Sequence, residues 1–82
     1  MLFHVYILFS EKLEGYYIGQ TDHIEDRLSR HNAGYEIYTS KYIPWELVWH
    51  CQKPTRKEAM ILEKKLKNLS KERLKQFIKK YC

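Results

Sequence analysis

Apolar and polar residues follow one another in blocks along this chain, and the first blocks predict a hairpin. Residues 2–9 are apolar, aromatic or β-branched almost throughout, which is typical of a strand buried on both faces. The polar segment 10–15 ends in Gly15 and predicts a turn, after which residues 16–20 resume the strand pattern. Two strands joined by so short a loop are expected to pair antiparallel.

A first helix is predicted directly after the hairpin. Thr21 or Asp22 is suited to cap its start, because Asp22 and Glu25 have the spacing of a capping box. Asn32 and Gly34 tolerate left-handed backbone geometry and are expected to end the helix. Its expected apolar stripe is short and consists of Ile24, Leu28 and Ala33.

The rest of the chain predicts one further strand and two further helices. Residues 35–44 lack a helical period and close on a proline, so we expect an extended loop, and residues 45–51 predict the third strand. Thr55 and Glu58 have capping-box spacing at the start of the second helix, and Ser70 is expected to cap the third. The expected buried stripes are Ala59, Leu62, Leu66 and Leu69 on the second helix, and Leu74, Phe77, Ile78 and Tyr81 on the third.

The order of these elements predicts an α+β fold. A three-stranded antiparallel sheet flanked by helices, in the order β-β-α-β-α-α, is expected. The chain has 82 residues, with no repeat and no linker that would divide it. We therefore expect one domain over residues 1–82.

The charge balance favours a polyanionic partner. Lysine and arginine number 15 against 10 acidic residues, which gives a formal net charge of +5. Such a balance suits nucleic acid or an anionic membrane surface, although a solvated lysine-rich face is the plainer interpretation. Seven tyrosines favour a folded chain, because large rings bury much area per residue.

The two cysteines exclude a disulfide framework. Cys51 and Cys82 also lack a metal-ligand spacing; we expect Cys51 to be a small core residue and Cys82 a frayed terminal one. The first ten residues lack the features of a signal peptide, and no apolar run reaches the roughly 20 residues that span a membrane. We expect a cytoplasmic protein with no membrane association.

Four polar side chains form two pairs, each expected to share one face. Tyr6 and Tyr17 lie on the paired strands, so their hydroxyls share one face if the register allows. Arg27 and His31 are four residues apart on one helix and therefore share a face. Glu63 follows on the second helix. Phosphodiester hydrolysis needs an activated water and positive charge near the phosphoryl oxygens, which these residue types supply.

Each of these residues also has a plainer interpretation. The tyrosines would be core residues with satisfied hydroxyls. His31 would be a helix-terminal histidine favoured by the helix dipole, and Arg27 a solvated surface residue. Glu63 would form an i,i+4 ion pair with Lys67, worth a few tenths of a kcal/mol.

The order of the motifs resembles a known family. Val5-Tyr6-Ile7 and Tyr17-Ile18-Gly19 on two strands, then Arg27 and His31 on a helix, then Glu63, resemble the GIY-YIG nuclease superfamily, in particular its small single-domain bacterial branch. That branch is similar to the nuclease domain of the excision-repair incision subunit. Further matching positions are His31-Asn32-Ala33-Gly34, Tyr38-Thr39, Pro44, Leu47-Val48 and Glu58-Ala59.

One position departs from the family pattern. The first motif reads His4-Val5-Tyr6 where the family name implies Gly-Ile-Tyr, so the tyrosine is kept and the glycine is not. Gly19 of the second motif is kept, and a glycine inside a strand marks a bulge or a close approach to the backbone.

The resemblance implies a divalent-metal-dependent DNA endonuclease, with DNA repair or recombination as its setting. Tyr6 would act as a base or water-orienting group, and Tyr17 would orient water and phosphate. Arg27 would stabilise transition-state charge and His31 would relay a proton or bind phosphate. Glu63 would hold Mg²⁺ or Mn²⁺, with no small-molecule cofactor. The nucleic-acid contacts are expected at Lys41, Tyr42 and Lys67.

Two other functions remain open at this point. One is a nucleic-acid-binding module of the same fold with little or no cleavage. The other is a basic protein-interaction domain, since fold alone does not fix function.

Overall fold

A three-stranded antiparallel sheet forms the middle layer of the computed structural model, which describes residues 2–81. The strands are β1 (Phe3–Ser10), β2 (Gly15–Thr21) and β3 (Glu46–Lys53). Their spatial order is β2-β1-β3, so the most apolar strand lies in the centre and β2 forms an edge. The three strands expected from the sequence are therefore confirmed.

The register of the hairpin decides which side chains share a face. Tyr6 pairs with Gly19 and Leu8 pairs with Tyr17, so these side chains lie on one face of the sheet. Val5 and Ile7 alternate with them and lie on the other face. All of residues 5–8 are buried, which explains their unbroken apolar run.

The helices cover both faces of the sheet. The face that carries Tyr6 is covered by α1 (Ile24–Asn32) and by a short 3₁₀ helix (Thr39–Tyr42). The opposite face is covered by α2 (Arg56–Lys67) and α3 (Lys71–Tyr81), whose Ala59, Leu66 and Leu74 pack on Val5 and Ile7. The α+β fold in the order β-β-α-β-α-α is confirmed. No helix within residues 2–81 is long and apolar enough to cross a membrane.

The start of α1 differs from the expectation. The N-cap residue is His23, whose side chain makes no capping hydrogen bond. The predicted caps are wrong because both side chains are engaged elsewhere: Thr21 Oγ1 accepts a hydrogen bond from the His23 backbone N–H at 3.1 Å, and Asp22 binds the His23 ring at 2.9 Å. The predicted helix end is confirmed, since α1 ends at Asn32 and Gly34 has a positive φ of 83°.

The caps of the two later helices are confirmed. The backbone N–H of Glu58 donates to Thr55 Oγ1 at 3.2 Å, and that of Arg73 donates to Ser70 Oγ at 3.2 Å. Each cap links a side chain to a backbone group three residues on, so the sequence pattern alone is enough to place it.

Three smaller expectations are wrong. Ala33 is exposed, because it lies one residue beyond the end of α1. Tyr81 is 58% exposed and contacts only the rim of the core through Phe77. Cys51 is half-buried in β3 rather than in the core, while Cys82 lies outside the described residues.

The segment 35–44 is folded rather than extended. The 3₁₀ helix within it is held from both sides, because the indole N–H of Trp45 donates to the Thr39 carbonyl at 2.8 Å and Ser10 Oγ donates to the Tyr42 carbonyl. The Asn32 side chain pairs with both backbone groups of Trp45. These bonds fix the segment against the end of α1 and place Thr39 in the interior.

Candidate active site

The hydroxyl of Tyr6 meets the ring of His31 beneath α1. The Tyr6 Oη and the His31 Nε2 are 3.1 Å apart, and both side chains are almost fully buried, at 2% and 0% exposure. Tyr6 comes from the central strand and His31 from the last turn of α1. The structure therefore brings together two of the residues that the sequence singled out.

The other nitrogen of His31 is also engaged. His31 Nδ1 lies 2.9 Å from the hydroxyl of Thr39, which is 1% exposed. Burial lowers the pKa of His31 below its usual 6.5, and the charge of Arg27 adds to that, while Glu36 acts in the opposite direction. A neutral imidazole accepts at one nitrogen and donates at the other, so it satisfies both hydroxyls.

Burial has the opposite effect on Tyr6. It raises the pKa of the Tyr6 phenol far above its usual 10, and the neighbouring Tyr17 raises it further. Glu63 and Glu36 also raise this pKa, whereas Arg27 lowers it. Tyr6 is thus a protonated hydroxyl that faces a neutral imidazole.

Gly19 leaves room for the Tyr6 hydroxyl. A Cβ atom built on Gly19 would come within 2.6 Å of the Tyr6 Oη and 2.8 Å of its Cζ, closer than real Cβ atoms approach. The glycine of the second motif is therefore required by packing. It lets the edge strand lie directly against the end of the Tyr6 ring.

Tyr17 packs against the Tyr6–His31 pair but is more exposed than Tyr6. Its ring centroid lies 4.9 Å from that of His31 and 6.4 Å from that of Tyr6. The rings of Tyr38 and Trp45 lie 6.5 Å and 6.1 Å away. Tyr17 is thus the member of this aromatic cluster that joins the buried Tyr6–His31 pair to the surface.

Arg27 stands on the same helix as His31 and is held by a neighbouring carboxylate. Its guanidinium lies 3.5 Å from Glu36, and both side chains are about two-fifths exposed, at 40% and 38%. The charge of Arg27 acts on both Tyr6 and His31. A guanidinium in this position is available to an anion that displaces the Glu36 carboxylate.

Glu63 reaches the site from the other face of the sheet. It comes from α2, where Gln20 Nε2 donates to one of its carboxylate oxygens at 2.9 Å and Lys67 binds the other at 2.9 Å. Gln20 is the strand neighbour of Gly19 on β2, so Glu63 lies across one edge strand from the Tyr6 hydroxyl. The Glu63 side chain is 17% exposed. The expected i,i+4 pair with Lys67 is present as well.

Comparison with known proteins identifies the family of the chain. A family model described as the GIY-YIG catalytic domain matches residues 2–80. The chain belongs to the GIY-YIG family. This is a nuclease-type family, and GIY-YIG nucleases act on DNA.

A solved structure resembles this GIY-YIG domain over its whole length. It is the solution NMR structure of the UPF0213 protein BH0048 from Bacillus halodurans, with a TM-score of 0.65 and 30% sequence identity. The alignment covers 99% of this chain and 86% of that one. No curated protein matched the chain.

Two side-chain oxygen groups of this GIY-YIG domain, on Glu63 and Gln20, suit a weakly held divalent cation. Residues 2–81 contain no cluster of three or more histidine, cysteine or acidic side chains that would form a complete metal site. Mg²⁺ is commonly held by one or two carboxylates, waters and substrate phosphate, which fits the single carboxylate of Glu63. The Oε1 atom of Gln20 beside it is buried without a hydrogen-bond partner in the described residues, so a second oxygen of the right type adjoins the carboxylate.

The three residues expected to contact nucleic acid lie in three different environments. Lys41 is exposed on the 3₁₀ helix, and Lys67 is ion-paired with Glu63 at the edge of the GIY-YIG site. Tyr42 is half-buried and packs in the core that contains Tyr6, and its ring is tilted by 59° to that of Tyr38 at 5.5 Å between ring centroids.

The sequence did not single out four residues that complete the site. Thr39 and Gln20 bind His31 and Glu63, Glu36 pairs with Arg27, and Tyr38 stands exposed beside Tyr17. Tyr38 and Thr39 already belonged to the motif series of the GIY-YIG resemblance, and that was the available signal. Nothing in the sequence pattern pairs Gln20 with a residue 43 positions away.

Proposed function

We propose that this chain is a divalent-metal-dependent endonuclease that hydrolyses phosphodiester bonds in DNA. The observation that carries the proposal is the buried hydrogen bond between the Tyr6 hydroxyl and His31 Nε2, set against Gly19 and beside Tyr17. A hydroxyl whose proton is bonded to a neutral imidazole is suited to pass that proton on. DNA repair or recombination is the proposed setting.

The proposed reaction starts with a proton relay. The Tyr6 oxygen takes a proton from the attacking water while its own proton moves to His31 Nε2. The hydroxide so formed attacks phosphorus, the bond from phosphorus to the leaving sugar oxygen breaks, and that oxygen takes up a proton from solvent, while His31 is left as an imidazolium. The Tyr6 hydroxyl stays protonated because burial raises its pKa. It can therefore take up a proton from water only if it passes its own proton to a partner that is neutral at physiological pH. His31 meets that need because burial lowers its pKa.

Charge on the phosphate is stabilised from two sides in this proposal. The Arg27 guanidinium leaves Glu36 and binds the phosphoryl oxygens, which its planar set of N–H donors matches. Glu63 would hold the divalent cation, with Gln20 fixing the carboxylate. When bound, the cation would neutralise phosphate charge and help the leaving oxygen.

The test is a cleavage assay on branched, flapped, single-stranded and plasmid DNA with Mg²⁺ or Mn²⁺. Glu63→Ala and Arg27→Ala are expected to lower the rate by about 100-fold or more. Glu25→Ala and Arg73→Ala remove the same charges at exposed positions and should leave the rate unchanged. Activity that survives both site substitutions would show that the proposed site is wrong.

A nucleic-acid-binding module without cleavage is the second candidate. The pairing of Arg27 with Glu36 and of Glu63 with Lys67 favours it, because both charged groups of the site are neutralised within the chain. Salt-dependent DNA binding with no metal-dependent product would support this candidate over the endonuclease.

A further inference from the structure

We propose that four lysines on α2 and α3 bind one unpaired strand of DNA and lead it away from Tyr17. These residues, here called the lysine row, are Lys67, Lys71, Lys75 and Lys79. The proposal rests on the proposed function, since the strand is the one that carries the phosphate to be cleaved. It adds the surface that holds that strand and the state in which the strand is bound.

A groove runs along the open edge of β2. Its lining includes two aromatic residues, Tyr17 and Tyr38, and two lysines, Lys67 and Lys71. The groove therefore reaches from the aromatic cluster over the Tyr6–His31 pair to the junction of α2 and α3. A strand whose phosphate lies beside Tyr17 enters this groove directly.

A second groove continues the first along α3. The two share Glu14, Tyr16 and Lys71 as lining residues, so they form one continuous depression. The second groove then passes Lys75 and Lys79. The four members of the lysine row all line this path, one after another.

The spacing of the lysines follows one face of the helix. Lys71, Lys75 and Lys79 are each four residues apart, so their side chains share a face, and the first and last are separated by about 12 Å along the axis at 1.5 Å per residue. This geometry lets one helix follow several phosphates of a single backbone.

The charge of the path is positive. Glu14 and Glu72 are its acidic lining residues, against the four lysines. Lys67 is already paired with Glu63, whereas Lys71, Lys75 and Lys79 form no ion pair with any carboxylate among residues 2–81. Three ammonium groups thus remain for phosphate.

Aromatic rings beside the lysines favour an unpaired strand. Tyr38 is 55% exposed at the entrance, and Tyr16 lines both grooves with part of its ring uncovered. Basic grooves interleaved with aromatic rings hold single strands, because unpaired bases stack on the rings while the cations follow the backbone. Paired bases do not present those faces.

The experiment measures binding of the full chain to a fluorescein-labelled oligothymidylate by anisotropy, in EDTA, over a range of salt concentrations. The test variant is the triple substitution Lys71→Gln, Lys75→Gln and Lys79→Gln. The control triple, Lys65→Gln, Arg73→Gln and Lys80→Gln, removes the same charge from exposed positions outside both grooves. A duplex of equal length is titrated in parallel, and circular dichroism checks the fold of each variant.

The test variant is expected to lower affinity at least about ten-fold at low salt and to reduce the slope of log K against log salt by about 2, since each phosphate contact contributes about 0.7. The control triple should keep the slope of the unmodified chain. Equal losses in both triples, or no binding of the oligonucleotide at low salt, would overturn the proposal. Tighter binding of the duplex with the same loss would overturn the assignment to an unpaired strand. Because EDTA prevents cleavage, failure here is distinct from failure of the endonuclease proposal.

Discussion

The Tyr6 hydroxyl occupies the space that a side chain on Gly19 would need. The two residues face each other across the hairpin, and an added Cβ would lie 2.6 Å from the Tyr6 Oη. Because the same hydroxyl is bonded to His31, the backbone of β2 sets the position of the proposed relay.

Gly19→Ala is therefore expected to displace the Tyr6 ring and break its bond to His31. Overpacking of this kind costs about 1–3 kcal/mol of unfolding free energy. DNA cleavage should fall by more than the stability loss explains, with most molecules still folded. Gly15→Ala is the matched control on the same strand, because its Cβ would come no nearer to another residue than 3.3 Å, at the flexible side chain of Leu13. Equal activity in the two variants would contradict the packing argument.

Removing the hydroxyl alone tests the relay. Tyr6→Phe keeps the ring but leaves His31 Nε2 without its partner, so we expect cleavage to drop by about 100-fold or more. The unfolding free energy should fall by about 1–3 kcal/mol, because a buried acceptor is left unpaired. Tyr35→Phe removes a hydroxyl from a ring that is 72% exposed and should change neither quantity. Wild-type cleavage by Tyr6→Phe would remove Tyr6 from the mechanism.

The buried, neutral state of His31 predicts how stability depends on pH. Its pKa is lower in the folded chain than in the unfolded one, so the unfolded chain binds more protons near the ordinary value of 6.5. Stability from this group is fully present above 6.5 and is lost as the pH falls through the lower, folded pKa. Denaturant unfolding of the unmodified chain at about pH 7.5 and pH 5 should show this loss.

His31→Gln should flatten that pH dependence, whereas His50→Gln, at an exposed position, should preserve it. The comparison uses the difference between the two pH values, so a general loss of stability in His31→Gln does not affect it. Identical pH dependence in both variants would show that His31 is not the titrating group.

Gln20 is expected to act as a positioning residue for Glu63. Gln20→Leu removes the donor that holds the carboxylate at 2.9 Å, and loss of such an outer contact commonly weakens metal binding about 10- to 100-fold. The Mg²⁺ concentration for half-maximal cleavage should rise, with a smaller change in the rate at saturating Mg²⁺. Gln52→Leu on β3 is the exposed control. A loss of rate with no change in Mg²⁺ dependence would contradict this role.

Much of the fold was predictable because it depends on residues that are close together in the sequence. The apolar run of β1 and the capping residues Thr55 and Ser70 all act within a few residues of themselves. The start of α1 was missed because the Asp22 side chain binds the ring of the neighbouring His23, and Thr21 bonds two residues on instead of three. The spacing of Asp22 and Glu25 reveals neither contact.

The site was predictable in its members but not in its bonds. Tyr6, Tyr17, Arg27, His31 and Glu63 were chosen from their order along the chain. The contacts that hold them come from Thr39, Glu36 and Gln20, which local periodicity leaves in a loop or on an edge strand. Their partners are fixed only when the segment 35–44 folds against α1 and when α2 packs on β2.

Because the site is assembled from both faces of the sheet, it is complete only in a fully folded chain. Tyr6, Tyr17 and His31 belong to the layer under α1, whereas Glu63 arrives with α2 from the other layer, and the two groups meet only at β2. A nascent or partly unfolded chain in which either layer is missing lacks some of the residues that the proposed reaction needs. For a protein proposed to cut DNA, this coupling restricts DNA cleavage to molecules that have folded completely.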